Sequence, residues 1–349
     1  MIRNEFIVSR DDSIYEAFPD LVLTEKGKLI CVFLECTHHL DRSGARVMLC
    51  ESYDRGRTWS PKKAFTKRCE ADRSFNCPRI SKLNDGTLAI VCDRFDGGEN
   101  KRSEIYLWRG DQEGLHWSKP QVLPFNGMVP DKLQQLKSGR LLLAAHFKNP
   151  ETEKLEQYLW YSDNNGDTWS ERVTVGADER YHLCEASLLE CHDGTLVAFM
   201  RENSMQGYDC MKAFSFDGGQ SWDGLYQAPI PGCHRPVSGF LNDGTIMITH
   251  RFLPGGKGGM GNWTQNVFAS FMTEKDVLER ERNQQCVRIM PLDYDRSSEA
   301  DLGYTGWVQF DDHEIYVVNY LLDDAPKAFI KGYCFFPEDV LIQREGGTL

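Results

Sequence analysis

Four arginines, three acids and a histidine of this chain fall at equivalent places in a repeated hairpin. Counting from the turn residue, the positions nine before are Phe18, Cys77, Pro130, Glu185, Arg235 and Tyr304. Seven before lie Asp20, Arg79, Lys132, Ser187, Val237 and Gly306. Seven after lie Leu34, Asp93, His146, Arg201, Arg251 and Tyr320. Side chains alternate along a strand, so equal distances from the turn select a shared face. Both ends of each hairpin away from the turn then meet at one end of the fold, with Arg79, Asp93, His146, Glu185, Arg201, Arg235 and Arg251 among them. Buried charges are costly unless paired, so this convergence points to a pocket for a polar ligand. A ring of salt bridges between repeats is the other reading. Ligand sites form preferentially at strand ends and barrel mouths, which favours the pocket.

The elements that must position these residues are hairpins. An apolar strand, a turn of the type Asn/His-Asp-Gly-Thr and a second apolar strand recur six times, at 18–33, 77–93, 130–146, 185–201, 235–251 and 304–320. The turns centre on Gly27, Gly86, Gly139, Gly194 and Gly244, with His313 in the sixth. Asp-Gly between apolar runs is a strong hairpin signal, because tight turns need the positive φ that glycine adopts freely. A second motif lies between hairpins: SYDRGRTW (52–59), SDNNGDTW (162–169) and SFDGGQSW (215–222), with a decayed form in GLHW (114–117). Asp or Asn caps such a turn, glycine takes its strained position and tryptophan packs beneath. No convincing helix is read; the best stretch, 273–285, is short and polar. Strand-only repeats of about 50 residues are the signature of propeller blades. The expectation is all-β: one six-bladed β-propeller domain over residues 1–349, with four-stranded antiparallel blades. Phe6–Val8 is expected to add an outer strand to the last blade and close the ring.

Composition limits the partners. Of 349 residues, 41% are hydrophobic and 26% charged, as in a folded globular chain. Asp and Glu number 52 against 40 Lys and Arg, a net charge of −12. That disfavours nucleic acid or an anionic membrane as partner, since both need a basic footprint. An acidic small ligand stays open, because a local arginine cluster can oppose the overall sign. No apolar stretch approaches the ~20 residues of a membrane span, and no signal peptide is read at the N-terminus. The twelve cysteines are scattered singly, without Cys-x-x-Cys pairs or zinc-like spacing. Cysteine is read as a small hydrophobe, and the expected location is cytoplasmic.

Turns of the Asp-box type in three of six repeats resemble the sialidase superfamily of six-bladed propellers, over essentially the whole chain. The turn itself is a staple that implies no function. Other segments carry the implied roles. EASLLECHDGTLVAFMR (185–201) resembles the family's Glu…Asp-Gly…Arg segment, mapping the glutamate that pairs with the nucleophile onto Glu185 and a carboxylate-binding arginine onto Arg201. GYTGWVQF resembles the Gly-Tyr-Ser/Thr segment, mapping the nucleophile onto Tyr304. HHLDRSGARVML (38–49) resembles the loop with the acid/base, mapping it onto Asp41. The family's first-blade Arg-Ile-Pro reads Ala17-Phe18-Pro19 here, so one substrate arginine is missing. Arg79 is a candidate substitute; Arg251, with Arg235 as competitor, maps the arginine of blade five. Asp93 and His146 complete the expected substrate-binding set.

The resemblance implies an exo-acting retaining glycosidase without metal or organic cofactor, acting on a terminal, acidic sugar. A tyrosine nucleophile avoids the repulsion a carboxylate would meet from a carboxylate on the anomeric carbon. Its partner glutamate takes the proton, an acid on the other side protonates the leaving oxygen, and water completes the reaction. The glycine-rich 253–263 is read as a lid or a long connection. His38, His39, His146 and His250 gather near the mouth, where hydrogen bonds to hydroxyls are favoured over a metal site. Another sugar, elimination instead of hydrolysis, and glycan binding without turnover remain the alternatives.

Overall fold

Each repeat turns on a residue whose backbone lies in the left-handed region. Gly27, Gly86, Gly139, Gly194 and Gly244 have φ between 81° and 93°, and His313 has φ 72°. The preceding aspartates fasten these turns: Asp85, Asp193 and Asp243 accept the amides of Thr87, Thr195 and Thr245 at 3.0, 2.9 and 2.9 Å. The computed structural model describes residues 4–70, 72–96, 103–253 and 265–340. The glycine-rich stretch read as a lid lies, from Pro254 onward, outside the described residues.

The hairpins build six antiparallel blades. Blade one comprises Tyr15–Leu23, Leu29–Cys36, Arg46–Ser52 and Lys63–Ala64. Blade two comprises Arg73–Phe75 with Arg79–Lys82, then Leu88–Asp96, Ser103–Gly110 and Gln121–Asn126. Blade three comprises Gln134–Gln135, Leu141–Lys148, Leu155–Ser162 and Val173–Gly176. Blade four comprises Leu183–Glu190, Leu196–Glu202, Met211–Ser215 and Asp223–Gln227. Blade five comprises Cys233–Phe240, Ile246–Phe252, Asn266–Met272 and Arg288–Tyr294. Blade six comprises Leu302–Gln309, Ile315–Leu321 and Phe329–Phe335, and Asn4–Ser9 pairs with Phe329–Phe335 as its outer strand. The ring is therefore closed by the start of the chain, as expected from Phe6–Val8.

Two inner strands depart from the repeat, both at proline. In blade two the strand breaks around Cys77-Pro78, and both pieces pair with Leu88–Asp96. In blade three only Gln134–Gln135 pair as strand, because Pro130 has no N–H to give a ladder. A helix of five residues, Glu274–Leu278, does form, with a capping box between Thr273 and Asp276.

The Asp-box turns lie between the third and fourth strands, on the rim. Ser52 Oγ donates to Asp54 at 2.9 Å and receives the Gly56 amide at 2.8 Å; Ser162 and Gly166, and Ser215 and Gly219, repeat this at 2.8 Å. In the decayed copy Asp111 accepts three amides, and Trp117 donates to Gly114 at 2.9 Å. Apolar faces pack between neighbouring blades; Leu189, Val197, Phe199, Ile246 and Ile248 form one such layer between blades four and five. All twelve cysteines are free, and all but Cys69 and Cys286 are buried. Among the described residues no helix is long and apolar enough to cross a membrane.

Candidate active site

Four inner strands carry the same irregularity at the same level. In blade four Cys184 faces Arg201 and Ser187 faces Phe199, so Glu185 and Ala186 together oppose one residue. Arg235 and Pro236 in blade five, Gly303 and Tyr304 in blade six, and Phe18 and Pro19 in blade one do the same. An extra residue in one strand re-aims a side chain and breaks the alternation. The strain is visible in φ values of 57° at Phe18, 49° at Glu185, 52° at Arg235 and 111° at Gly303. Such backbone costs of order 1–3 kcal/mol at a non-glycine residue and persists only where surrounding structure imposes it.

The bulges bring Tyr304 and Glu185 together although they are 119 residues apart. The Tyr304 hydroxyl donates a short hydrogen bond to Glu185 Oε1. Arg201 Nη1 donates to both Glu185 oxygens at 3.0 Å and to the phenol oxygen at 3.4 Å, while its Nη2 is bound to Asn203. Arg251 and Arg235 flank the Tyr304 ring, 5.2 and 5.9 Å from its centre. Arg235 also donates to the carbonyl of Pro130 at 2.8 Å, and Arg251 to His234 at 3.3 Å. Apart from the half-buried Asn203 these side chains are buried, and Nε of Arg201, Arg235 and Arg251 has no acceptor in the protein. Three guanidinium groups against one carboxylate leave an excess of positive charge with donors to spare, the inverse of the chain's overall sign.

Electrostatics separate the pair. Burial raises the Glu185 carboxyl, but Arg201 and Arg235 outweigh it and bring its pKa down to about 2. Burial raises the Tyr304 phenol, and anionic Glu185 raises it further. Glutamate is thus the anion and tyrosine the neutral donor. Beside them His146 Nδ1 accepts the Glu185 amide at 3.3 Å, and burial pushes its pKa down to about 4, so the ring is neutral.

The other expected residues are placed around this centre. Asp93 is buried at the mouth, accepting from Asn76 at 3.0 Å and Ser103 at 3.2 Å, with Oδ1 unpartnered. Arg79 lies one layer deeper. It donates to the Thr305 carbonyl at 3.0 Å and stands 3.4 Å from Asp20, which Lys132 approaches to 3.1 Å. Arg79 thus belongs to a cross-channel ion cluster, with its Nε and Nη2 left without a hydrogen-bond acceptor in the protein. Asp41 is exposed, and its Oδ1 caps the Ser43 amide at 3.0 Å. Of the histidines thought to gather at the mouth, His250 is buried between Ser270 and the Arg251 carbonyl. Among the described residues no group of His, Cys, Asp or Glu is arranged to hold a metal.

Several neighbours escaped the sequence reading. Asp301 accepts from Tyr15 at 2.6 Å, from Tyr320 at 3.0 Å and stands 3.0 Å from His39 Nδ1. Arg42 lies 4.8 Å over the Phe18 ring and donates to the His39 carbonyl at 3.2 Å. Neither occupies a hairpin register position, so the repeat offered no signal. Asp301 begins blade six, which packs on blade one only through ring closure. Asn203, two residues past Arg201, could have been found from strand alternation.

Residues 53–255, more than half of the chain, match a family described as BNR repeat-like domain. The chain belongs to this BNR repeat-like family. Its fold is a six-bladed β-propeller. The BNR chain is 24% identical over 211 residues to a sialidase of Paraclostridium sordellii, covering 51% of the chain and 52% of that protein. It is 25% identical over 209 residues to a sialidase of Clostridium perfringens, covering 50% and 55%. The chain thus spans about half the length of the sialidases it matches. Among solved structures, a protein of unknown function from Dyadobacter fermentans superposes with TM-score 0.80 at 19% identity, covering 96% of this chain and 98% of that one. The intramolecular trans-sialidase of Ruminococcus gnavus, in complex with oseltamivir carboxylate, superposes with TM-score 0.70 at 14% identity, covering 98% of each.

Proposed function

We propose that this protein is a sialidase-type exo-glycosidase that acts with retention on a terminal sugar bearing a carboxylate. The observation that carries the reading is the Tyr304–Glu185 hydrogen bond inside a cluster of three buried arginines. A binding protein has no need of a phenol held on a buried carboxylate. Arginines with unfilled donors fit a carboxylate geometrically and electrostatically. A bound carboxylate offsets the positive field that holds Glu185 down, so the base strengthens when substrate is present. The Tyr304 oxygen then attacks the anomeric carbon as its proton passes to Glu185. Because the resting phenol is a weak acid, the proton leaves as the new C–O bond forms. Asp41, on the loop between Leu29–Cys36 and Arg46–Ser52, supplies the acid for the leaving oxygen.

Phe18 favours a second reading of the substrate. It follows Ala17, which stands where the family's first-blade arginine would, and packs 5.2 Å from the Tyr304 ring. A ring there favours a sugar with an apolar face, or elimination in place of hydrolysis. Assay of a 4-methylumbelliferyl sialoside against aryl glycosides of uronic acids and neutral sugars, in wild type and Tyr304→Phe, separates the two. Turnover of the sialoside that drops by about three orders of magnitude or more in Tyr304→Phe is expected. Turnover of none of these substrates, with glycan binding retained, overturns the enzyme reading.

A further inference from the structure

We propose that the end of the central channel away from Tyr304 is a second ligand site, shaped for a neutral pyranose sugar. The site described above is built from positions nine before and seven after the turn residue of each hairpin. Positions four to eight before it line a separate cavity of about 560 Å³, to which all six inner strands contribute. That volume lies within the roughly 300–1,000 Å³ of small-molecule sites. No residue of the Tyr304 cluster lines it. The layer of Asp20, Arg79 and Lys132 lies at its floor. Lys132 Nζ stands 3.1 Å from Asp20 Oδ1, while Asp20 Oδ2 stands 3.4 Å from Arg79 Nε and accepts the Ile80 amide at 2.9 Å. Lys132 is 26% exposed and lines the cavity, so its ammonium keeps hydrogens for a ligand after meeting Asp20.

Charge and its placement decide the class of ligand. In the wall, Lys82 and Lys132 stand against Asp131 and Glu190; behind it, Arg79 stands against Asp20. No sign is in surplus, in contrast to the arginines around Glu185. A charged ligand finds no counter-charge to offset its lost hydration, so a neutral one fits. The unused hydrogen-bonding groups sit on blades two and three. Ser81 Oγ is buried without a partner in the protein, and the Gln134 carboxamide has none among the described residues. Blade six, opposite blade three in a ring of six, brings Trp307 and Val308 to the wall. Trp307 is half-buried, and its Nε1 donates to the Val237 carbonyl at 3.0 Å, which fixes the indole. The ring takes the space a side chain at position 239 would need: a Cβ on Gly239 would come within 2.8 Å of Trp307 Cζ2. Between the two sides Ser187 and Ser238 are bonded to each other at 3.0 Å. One wall is thus aromatic and aliphatic, and the facing wall carries free donors and acceptors. A pyranose has the matching asymmetry, with a face of C–H groups and a rim of hydroxyls that both donate and accept.

Methyl β-galactoside, methyl β-glucoside and inorganic phosphate are titrated into wild type, Trp307→Phe, Ser81→Ala and Gln134→Ala, with binding followed by calorimetry and tryptophan fluorescence. Saturable, about millimolar binding of at least one pyranoside is expected, and none of phosphate. Ser81→Ala and Gln134→Ala remove groups that hold nothing in the protein, so they keep the melting temperature and weaken binding by about 2–10-fold each. Trp307→Phe weakens it further and removes the fluorescence change. No saturable binding of either pyranoside, an affinity unchanged in all three variants, or binding of phosphate in place of the sugars overturns the assignment. None of these measurements involves turnover, so the glycosidase reading stands or falls separately.

Discussion

Glu185 answers two opposing demands. It must stay ionised to balance Arg201 and Arg235, and on the proposed mechanism it must also accept a proton from Tyr304. Glu185→Gln removes both functions while keeping an acceptor for the phenol. Loss of the buried anion leaves Arg201 facing a neutral amide, a change that typically costs 3–5 kcal/mol in a buried pair. We expect a markedly lower melting temperature by calorimetry, and turnover reduced by about 10²–10⁴-fold at a temperature where the variant is folded. The sign with pH follows from its carboxyl at about 2, below the usual range. The stability Glu185 contributes is present above the unfolded carboxylate range and is lost only as pH falls toward 2. Glu185, Arg201, Arg235, Arg251 and Tyr304 were legible because the hairpin register places them at two levels. Asp301 and Arg42 were not, because the contacts of Asp301 with Tyr15 and His39, and of Arg42 with the site, depend on the seam between first and last blades.

The inner-strand bulges convert a repeat into a site. A regular strand would send every second residue away from the axis, whereas the bulge turns Glu185, Arg235 and Tyr304 inward together. Blade six alone uses glycine at the strained position. A Cβ at Gly303 would collide with the Arg251 side chain, and φ 111° already disfavours one. Gly303→Ala is therefore expected to lower stability by about 1–3 kcal/mol. It should also raise KM for an acidic substrate by displacing Arg251, while Gly244→Ala on the opposite turn, where nothing crowds a Cβ, leaves KM unchanged. Steady-state kinetics on both variants check this. The turns were readable from Asp-Gly chemistry, even where His313 replaces glycine. The inner edges of blades two and three were not, because Pro78 and Pro130 withdraw donors that the apolar pattern does not register.

Over the whole molecule, acid should act through histidine. Burial pushes His146 and His250 down to about 4, and burial with Arg201 and Arg251 puts His234 well below its usual range. The unfolded chain takes up these protons near pH 6.5, the folded chain only near 4 or below. The unfolded state binds more protons in that window, so stability falls as pH drops, at about 1.4 kcal/mol per unit for each histidine once its unfolded form is protonated. Melting temperature should decline steadily from pH 6.5 to 4.5, and less steeply in His250→Gln. A flat profile over that range contradicts the neutral, buried assignment. The layer of Asp20, Arg79 and Lys132 bears on traffic. It ties blades one, two, three and six across the axis, and a cavity of about 560 Å³ lined by Lys132, Ser187, Ser238 and Trp307 lies beyond it on the other side. On the proposed function, a sugar leaving the arginines would retrace the path its precursor took, so product and fresh substrate would compete for the same guanidinium groups.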